Sequence, residues 1–275
     1  MPHMETPITS QDATGPSGPP VNGLDLAFGS PMSVTRSEQL ITELTEISPR
    51  RIIDVGCGWA EQLLRTVMAV PGAHGLGVDL EEQDILRGQE RAARLGVQDR
   101  VELRVQDGVE LAGTAESADA LICLGSWHAL GGSPAAALLR LRGLAAPGTR
   151  LLFGVDHWAR LPDQDRLAQM WEGASLSDSH LLPDVVEAAA QAGWRLLDLH
   201  EATVDEWNHF ECGMTRNQEE WLLENPDHPE APALRERLDT LRGSWLRGHH
   251  GYMGFATLVL AAGSAHGESG TAISG

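Results

Sequence analysis

The sequence predicts an α/β fold organised on a mainly parallel sheet. Short aliphatic runs alternate with helix-like segments along most of the chain, the first run ends in the glycine loop "DVGCG" before turning helical, and 275 residues suit one such domain with a decorating lid.

Taken in order, residues 1–24 are rich in Pro, Gly, Ser and Thr with little to bury, and read as a disordered leader. "LAFGSPMSVTRSEQLITEL" should cross over whatever ligand the sheet holds before the first strand, its Pro-Met-Ser turn starting a helix near Ser33. "RIIDVG", "AHGLGVDL", "RVELRVQD", "ADALICLG" and "TRLLFGVD" read as five strands, separated by helical segments such as 59–69, 82–95 and 134–145. "GWRLLDLHEATV" and "YMGFATLVLAA" supply two later strands, and the mostly helical stretch between them is long enough to be a lid. The main domain is therefore expected over 25–262, with lid elements at about 25–48 and 203–250, and a disordered tail over 263–275.

Bulk properties narrow the partners. A formal charge of -19 argues against holding nucleic acid or anionic lipid by bulk attraction, because both need Lys/Arg patches. Cys57, Cys123 and Cys212 are odd in number and show no Cys-x-x-Cys spacing, so neither a disulfide framework nor a structural zinc site is expected, and a reducing cytoplasm suits them. The sequence shows no signal-peptide pattern and no uninterrupted apolar run of membrane-spanning length. No histidine pair has metal-ligand spacing on a helix, so no metal is expected, and His249 with His250 reads as a surface pair.

In open parallel sheets, ligands sit beyond the carboxyl ends of the strands. Gly56 and Gly58 occupy that place after the first strand. A dinucleotide site would want a third glycine at position 61, but Glu61 stands there and would oppose a pyrophosphate at the helix N-terminus. Asp54 lies just before the loop, Asp79 closes the second strand where a carboxylate can take both ribose hydroxyls, and Asp107 closes the third where it can reach an adenine amino group. Three strand-end carboxylates around a small loop describe a cationic nucleoside without phosphate, which is S-adenosylmethionine (SAM).

With these residues in place the chain resembles the class I SAM-dependent methyltransferases: "DVGCG" looks like their first motif, "VDL" their ribose acid, "VQDG" their adenine acid and "ALICLGSWHALGG" their fourth-strand motif. The resemblance covers about residues 34–262 and implies a Rossmann-like sheet of seven strands in the order 3-2-1-4-5-7-6, helices on both faces, and the seventh strand antiparallel. It carries SAM contact to Asp54, Gly56, Cys57, Gly58, Asp79, Leu80, Gln106, Asp107, Gly108, Leu124 and Gly125, with S-adenosylhomocysteine as product. More narrowly, "AFGSPMS", "GSWHALGG", "DEWNHFE" and "RGHHGYMGFATLVL" resemble a group of actinobacterial small-molecule methyltransferases.

Methyl transfer needs alignment of the acceptor, exclusion of water and, for many acceptors, a base. The ends of strands four and five carry "GSWHALGG" and "VDHW", so Trp127, His128, His157 and Trp158 are expected near the methyl. Trp outnumbers Phe by eight to four, with one Tyr, and a Trp-walled pocket suits a flat or cationic substrate. Trp158, Trp171 and Trp194 could equally cap the core, and His128 could simply bond nearby backbone. In "DEWNHFECGMTRNQEEWLL" a 100-degree step puts Trp207, Phe210, Met214, Trp221 and Leu222 on one stripe, with Glu211 and Gln218 inside it and His209 opposite. Glu211 is thereby the first candidate base, the alternative being an ion pair with Arg242 or Arg247; Glu172 beside Trp171 is the reserve. Phe28 and Met32 are expected to shield the methionine end of SAM or to pack in the core.

The expected activity is methylation of a nitrogen or oxygen on a small, aromatic or amine-bearing specialised metabolite. A protein or nucleic acid methyltransferase and a SAM-binding protein that transfers no methyl are the alternatives. An apolar lid helix would also suit a homodimer.

Overall fold

Strand β1 (Arg51–Val55) carries Ile52, Ile53 and Val55, whose branched side chains suit an extended backbone and are completely buried. The structure, a computed structural model, describes residues 18–111 and 117–263. Strands β2 (His74–Asp79), β3 (Val101–Val105), β4 (Ala118–Leu124), β5 (Ala145–Trp158), β6 (Trp194–Glu201) and β7 (Met253–Ala262) join β1 in one sheet of order β3-β2-β1-β4-β5-β7-β6. β1 to β5 pair in parallel, whereas β7 runs antiparallel to both β5 and β6. This is the order and sense expected from the sequence.

Helices α1 (Val34–Thr45), α2 (Glu61–Ala69) and α3 (Glu82–Leu95) cover one face, packing Leu40, Leu63, Leu64 and Ile85 on Ile52, Ile122 and Leu152. Helices α4 (Pro134–Gly143) and, beyond the short α5 (Gln164–Leu167), α6 (Leu182–Gln191) cover the other, packing Leu138, Leu141 and Val185 against Val55, Leu121 and Phe153. Each such fully buried Leu or Ile contributes about 1.5–3 kcal/mol relative to exposure. β3 and β6 are the two edges of the sheet; on β6, exposed Arg195 and Asp198 and a register shift between Leu196 and Asp198 discourage pairing with another chain.

Between β6 and β7 lie α7 (Val204–Glu224), α8 (Ala231–Gly243) and a π-helical turn, Ser244–His249. α7 opens on a capping box in which Thr203 and Glu206 satisfy each other's backbone amides. Glu206 also accepts from the amide and hydroxyl of Ser33, the N-cap of α1, at 3.0 and 2.7 Å. Burial would raise the Glu206 carboxyl, but the hydrogen bonds from Thr203 and Ser33 outweigh it and hold the pKa below the usual value.

The expected leader of residues 1–24 is corrected over its last part. Gly23 donates to Met214 O at 3.2 Å, Gln218 donates to Pro20 O at 2.7 Å, and Asn217 donates to Val21 O, so residues 20–23 are fastened along α7. Residues 1–17 of that leader, and 264–275 of the expected tail, lie outside the described residues. Among the described residues no helix is long and apolar enough to cross a membrane.

Candidate cofactor cleft and lid

The loop after β1 is shaped by backbone that only small residues tolerate. Gly56 and Gly58 have φ of +69° and +51°, and a Cβ on Gly56 would lie 2.2 Å from Cβ of Ser126. Ser126, after β4, in turn donates to Val55 O at 2.6 Å, so the loops following β1 and β4 are pressed together at the carboxyl edge of the sheet. The amides of Gly56 and Cys57 donate to Val78 O, and that of Gly58 donates to Oδ2 of Asp79 at 2.7 Å, tying the glycine loop to the end of β2.

Beyond these strand ends opens a cleft of about 660 Å³, within the usual size of a small-molecule site. Asp54, Gly56, Cys57, Gly58 and Asp79 line its floor, Leu124, Gly125, Ser126 and His128 one wall, and Phe28, Met32, Phe210 and Met214 close over it from the N-terminal segment and α7. Trp59, Asp84 and Arg87 line it too. Trp59 donates to Ala27 O at 2.7 Å, while the Arg87 guanidinium lies over the Trp59 ring at 4.1 Å and donates to Leu24 O and Leu26 O at 3.0 and 3.1 Å. This pair fastens residues 24–27 across the mouth of the cleft.

The electrostatics select a cation. Burial, and then repulsion from Asp79, push the Asp54 carboxyl up to about 8. Burial and Asp79 raise Asp84 as well, and burial lowers the Arg87 guanidinium. Glu61, expected to oppose a phosphate ligand, is instead neutralised by Arg65 at 2.8 Å and Arg91 at 3.1 Å, so its charge does not decide the ligand. Asp79 and Asp84 thus face the single guanidinium of Arg87, and a positively charged ligand would favour the ionised form of Asp54. A glycine cradle that a Cβ would fill and a buried carboxyl short of countercharge thus fit SAM.

The other expected cofactor residues are not in the lining of this cleft. Leu80 is exposed; Asp107 accepts from the Val109 amide at 2.9 Å, the Gln106 amide donates to Asp79 O, and Gly108 packs on Val55. Cys57 stands in the cleft floor and Cys123 is buried outside its lining; all three cysteines are free.

The expected catalytic and substrate residues divide. His128 is exposed on the cleft wall and Phe28 stands in its roof. Trp127 instead donates to Asp156 Oδ1 at 3.1 Å and packs edge-on to His180. His157 must be revised: it faces inward from β5, almost wholly buried, with Nε2 3.3 Å from Glu201 and no hydrogen-bond partner for either ring nitrogen among the described residues. Trp158 is a core cap, packed with Leu167 and Met170 and donating to Leu176 O. Trp171 is half exposed and bonded to Asp178, and Glu172 beside it is exposed; neither lines the cleft. Glu211 does not line it either, because its turn of α7 faces the π-helical turn, where it meets His249 Nε2 at 2.7 Å in place of Arg242 or Arg247. Trp207 lines a separate small cavity under the lid. Sequence reasoning does not reach Trp59 or Arg87, of which Trp59 alone carries a signal, directly following "DVGCG"; the reading of His249 as half of a surface pair is corrected, since its largely buried ring turns inward onto Glu211.

A profile for a methyltransferase domain matches residues 53–151. The protein YjhP of Escherichia coli (strain K12), itself described as uncharacterized, is 30% identical over 189 residues, 69% of this chain and 75% of YjhP. The chain belongs to the class I SAM-dependent methyltransferases. The crystal structure of YjhP superposes with a TM-score of 0.75 over 86% of this methyltransferase and 96% of YjhP, at 27% identity. SAM-dependent methyltransferases from Geobacter sulfurreducens (24% identity, TM-score 0.76, 86% of this chain and 94% of that one) and Thiobacillus denitrificans (25%, 0.75, 86% and 95%) were solved with S-adenosylhomocysteine bound. The cofactor of this methyltransferase is accordingly SAM. None of these three relatives is actinobacterial, so the narrower likeness to an actinobacterial group finds no support in them.

Proposed function

We propose that this methyltransferase acts on an oxygen or nitrogen of a small specialised metabolite, aromatic or amine-bearing, in a reducing cytoplasm. One observation carries the reading: the cleft is roofed on the lid side by Phe28, Met32, Phe210 and Met214, which leaves space suited to a small acceptor beside a nucleoside and not to an extended polymer. The charge of -19 weighs in the same direction.

In this reading Asp79 takes the ribose hydroxyls, Asp107 the adenine edge at the rim, and Asp54 the cationic end. Bound there, SAM supplies an electrophilic methyl on a sulfonium. The protein's part is to fix that group against the glycine loop, to keep water away with the apolar roof, and to present the acceptor from the His128 side of the cleft.

The test is S-adenosylhomocysteine formation by the pure protein with SAM, with and without the small-molecule fraction of a bacterial lysate. Product that forms only with that fraction supports the reading. Product only with the protein or nucleic acid fraction moves the acceptor to a polymer, and none in any fraction despite SAM binding favours a non-transferring role.

A further inference from the structure

The cleft wall after β4 continues into a short 3-10 turn, Trp127–Leu130, which lies between Gly125 at a φ of +79° and Gly131 at +120°. Glycine joints at both ends leave such a turn poorly fixed by its own backbone, so side chains must place it. Three do. Ser126 donates to Val55 O at 2.6 Å, Leu130 is buried in the core that holds Val55, and the Trp127 indole donates to Asp156 Oδ1 at 3.1 Å. Asp156, on β5, accepts from the Ser179 hydroxyl at 2.9 Å on its other oxygen, so the anchor is itself held. The exposed residue of this turn is His128, and it stands on the cofactor cleft.

Strand order says what His128 faces. β2, β1 and β4 are neighbours in the sheet, about 4.8 Å apart from one to the next. With the ribose on Asp79 after β2 and the cationic end over Asp54 at β1, the acceptor is left the β4 side, where Ser126 presses on Gly56 and His128 follows two residues later. The other titratable groups of the cleft are engaged elsewhere. Asp54 is buried beneath the cationic end, Asp79 accepts from the Gly58 and Glu81 amides, and Glu61 is paired with Arg65 and Arg91. Glu81, Asp84 and Arg87 stand at the β2 end, and burial raises the Cys57 thiol. Around the turn itself the charged or titratable neighbours are Arg140 of α4, beside Gly131, with Asp156 and His180 against Trp127. Imidazole is the side chain whose ordinary proton affinity lies near neutral pH, and an exposed ring can pass its proton on to water.

Resting on the reading of this protein as a small-molecule methyltransferase, we infer that His128 is the catalytic base and that Asp156, acting through Trp127, is the residue that positions it. The imidazole takes the proton of the acceptor oxygen or nitrogen as that atom bonds the methyl carbon and the electron pair of the carbon–sulfur bond stays on sulfur. A methylated acceptor, a neutral thioether and an imidazolium result, and the imidazolium then gives its proton to water.

The experiment follows the His128 ring by NMR across pH in the full chain, saturated with S-adenosylhomocysteine and then with SAM; its resonance is the one missing in His128→Asn. The two ligands differ by one methyl and one positive charge, and a positive charge beside an imidazole disfavours its protonated form. The inference predicts that His128 holds its proton several-fold more weakly with SAM than with S-adenosylhomocysteine, while His74, exposed at the opposite edge of the sheet, does not change. Trp127→Phe, which keeps a ring and removes the donor, shrinks the difference at His128. With the small-molecule fraction of a bacterial lysate and saturating SAM, His128→Asn lowers turnover by ~10²-fold or more, the usual worth of a positioned base, and removes its decline toward acid pH, with S-adenosylhomocysteine affinity unchanged. Asp156→Ala lowers turnover several-fold at unchanged KM for SAM, and Asp156→Asn, which keeps an acceptor oxygen, recovers most of it. Equal proton affinity of His128 in the two complexes, or wild-type turnover in His128→Asn, would overturn the inference. Failure of the wider reading looks different: a SAM-dependent change at His128 in a protein that methylates no small molecule would keep His128 beside the methyl and refute the metabolite reading.

Discussion

The Asp79 carboxylate at the end of β2 accepts a hydrogen bond of 2.7 Å from the Gly58 amide on Oδ2 and another of 3.0 Å from the Glu81 amide on Oδ1. One side chain therefore holds the glycine loop and faces the cleft. Replacing Asp79 by Asn keeps an acceptor oxygen but removes the charge. Hydrogen bonds to a charged group are worth about 1.5–3 kcal/mol, so SAM affinity should fall roughly ten- to hundredfold in Asp79→Asn. Calorimetric titration reads the loss, and thermal unfolding should show no matching loss of stability, since Asp54 is relieved of a like charge.

Asp54 links the fold to pH. Its pKa rises from an ordinary 3.8 to about 8 in the fold, so the folded state binds a proton more tightly than the unfolded one. Stability of the ligand-free protein should decline as pH rises from about 4 to about 8 and then level off, with Asp84 adding to the same slope. SAM, being cationic, favours ionised Asp54, so binding below about pH 8 should expel a proton. Titrations in two buffers of different ionisation heat measure this, and Asp54→Asn should abolish most of it.

Gly56→Ala should remove SAM binding. The substitution sets a Cβ 2.2 Å from Ser126 Cβ at a φ of +69°, a strain of about 1–3 kcal/mol before the clash is counted. Gly72→Ala is the control, since its φ is +82° but no described atom lies within 4 Å of the added carbon. Melting should fall clearly more for Gly56→Ala, with cofactor affinity lost only there.

The thiols should react unequally. Cys212 is exposed, whereas burial pushes the Cys123 thiol up to about 12, and burial followed by the carboxylates of Asp54 and Asp79 raises that of Cys57. An aromatic disulfide reagent should titrate one thiol quickly in the native protein and all three after unfolding. A second fast thiol would mean that the cleft floor opens to solvent.

Arg87 and Trp59 should govern cofactor retention. Arg87→Lys keeps charge but loses both the planar stacking on Trp59 and the terminal guanidinium nitrogen that donates to both Leu24 O and Leu26 O. The expected result is KM for SAM raised several-fold with little change in kcat, and faster proteolysis near residues 24–29.

Much of this was legible in the sequence because it is written locally. Strand-length aliphatic runs set the sheet, "DVGCG" with Asp79 marks the cleft, and Ser33 announces the start of α1 by its own side chain. The helical stripe also put Gln218 on the buried face of α7, where it bonds Pro20 O and Arg237. What was not legible depends on long-range geometry. Arg87 reaches the N-terminal segment from α3, with nothing in its neighbourhood to say so. Periodicity gives the face of Glu211 but not what it meets; its neighbour is set by the π-helical turn, whose wider winding brings His249 inward and has no sequence signature comparable to a cap. The tryptophans read as pocket walls fared unevenly because aromatic content alone cannot separate Trp158, buried in a small core, from Trp207, at a cavity.

The most direct test of the account is to incubate the pure protein with methyl-labelled SAM and a bacterial lysate, then count label in small molecules and in acid-precipitated polymer. The account predicts label in the small-molecule fraction, lost in Asp79→Asn at low SAM and restored there as SAM is raised. Label in the precipitate, or none in either fraction while SAM still binds, would contradict it.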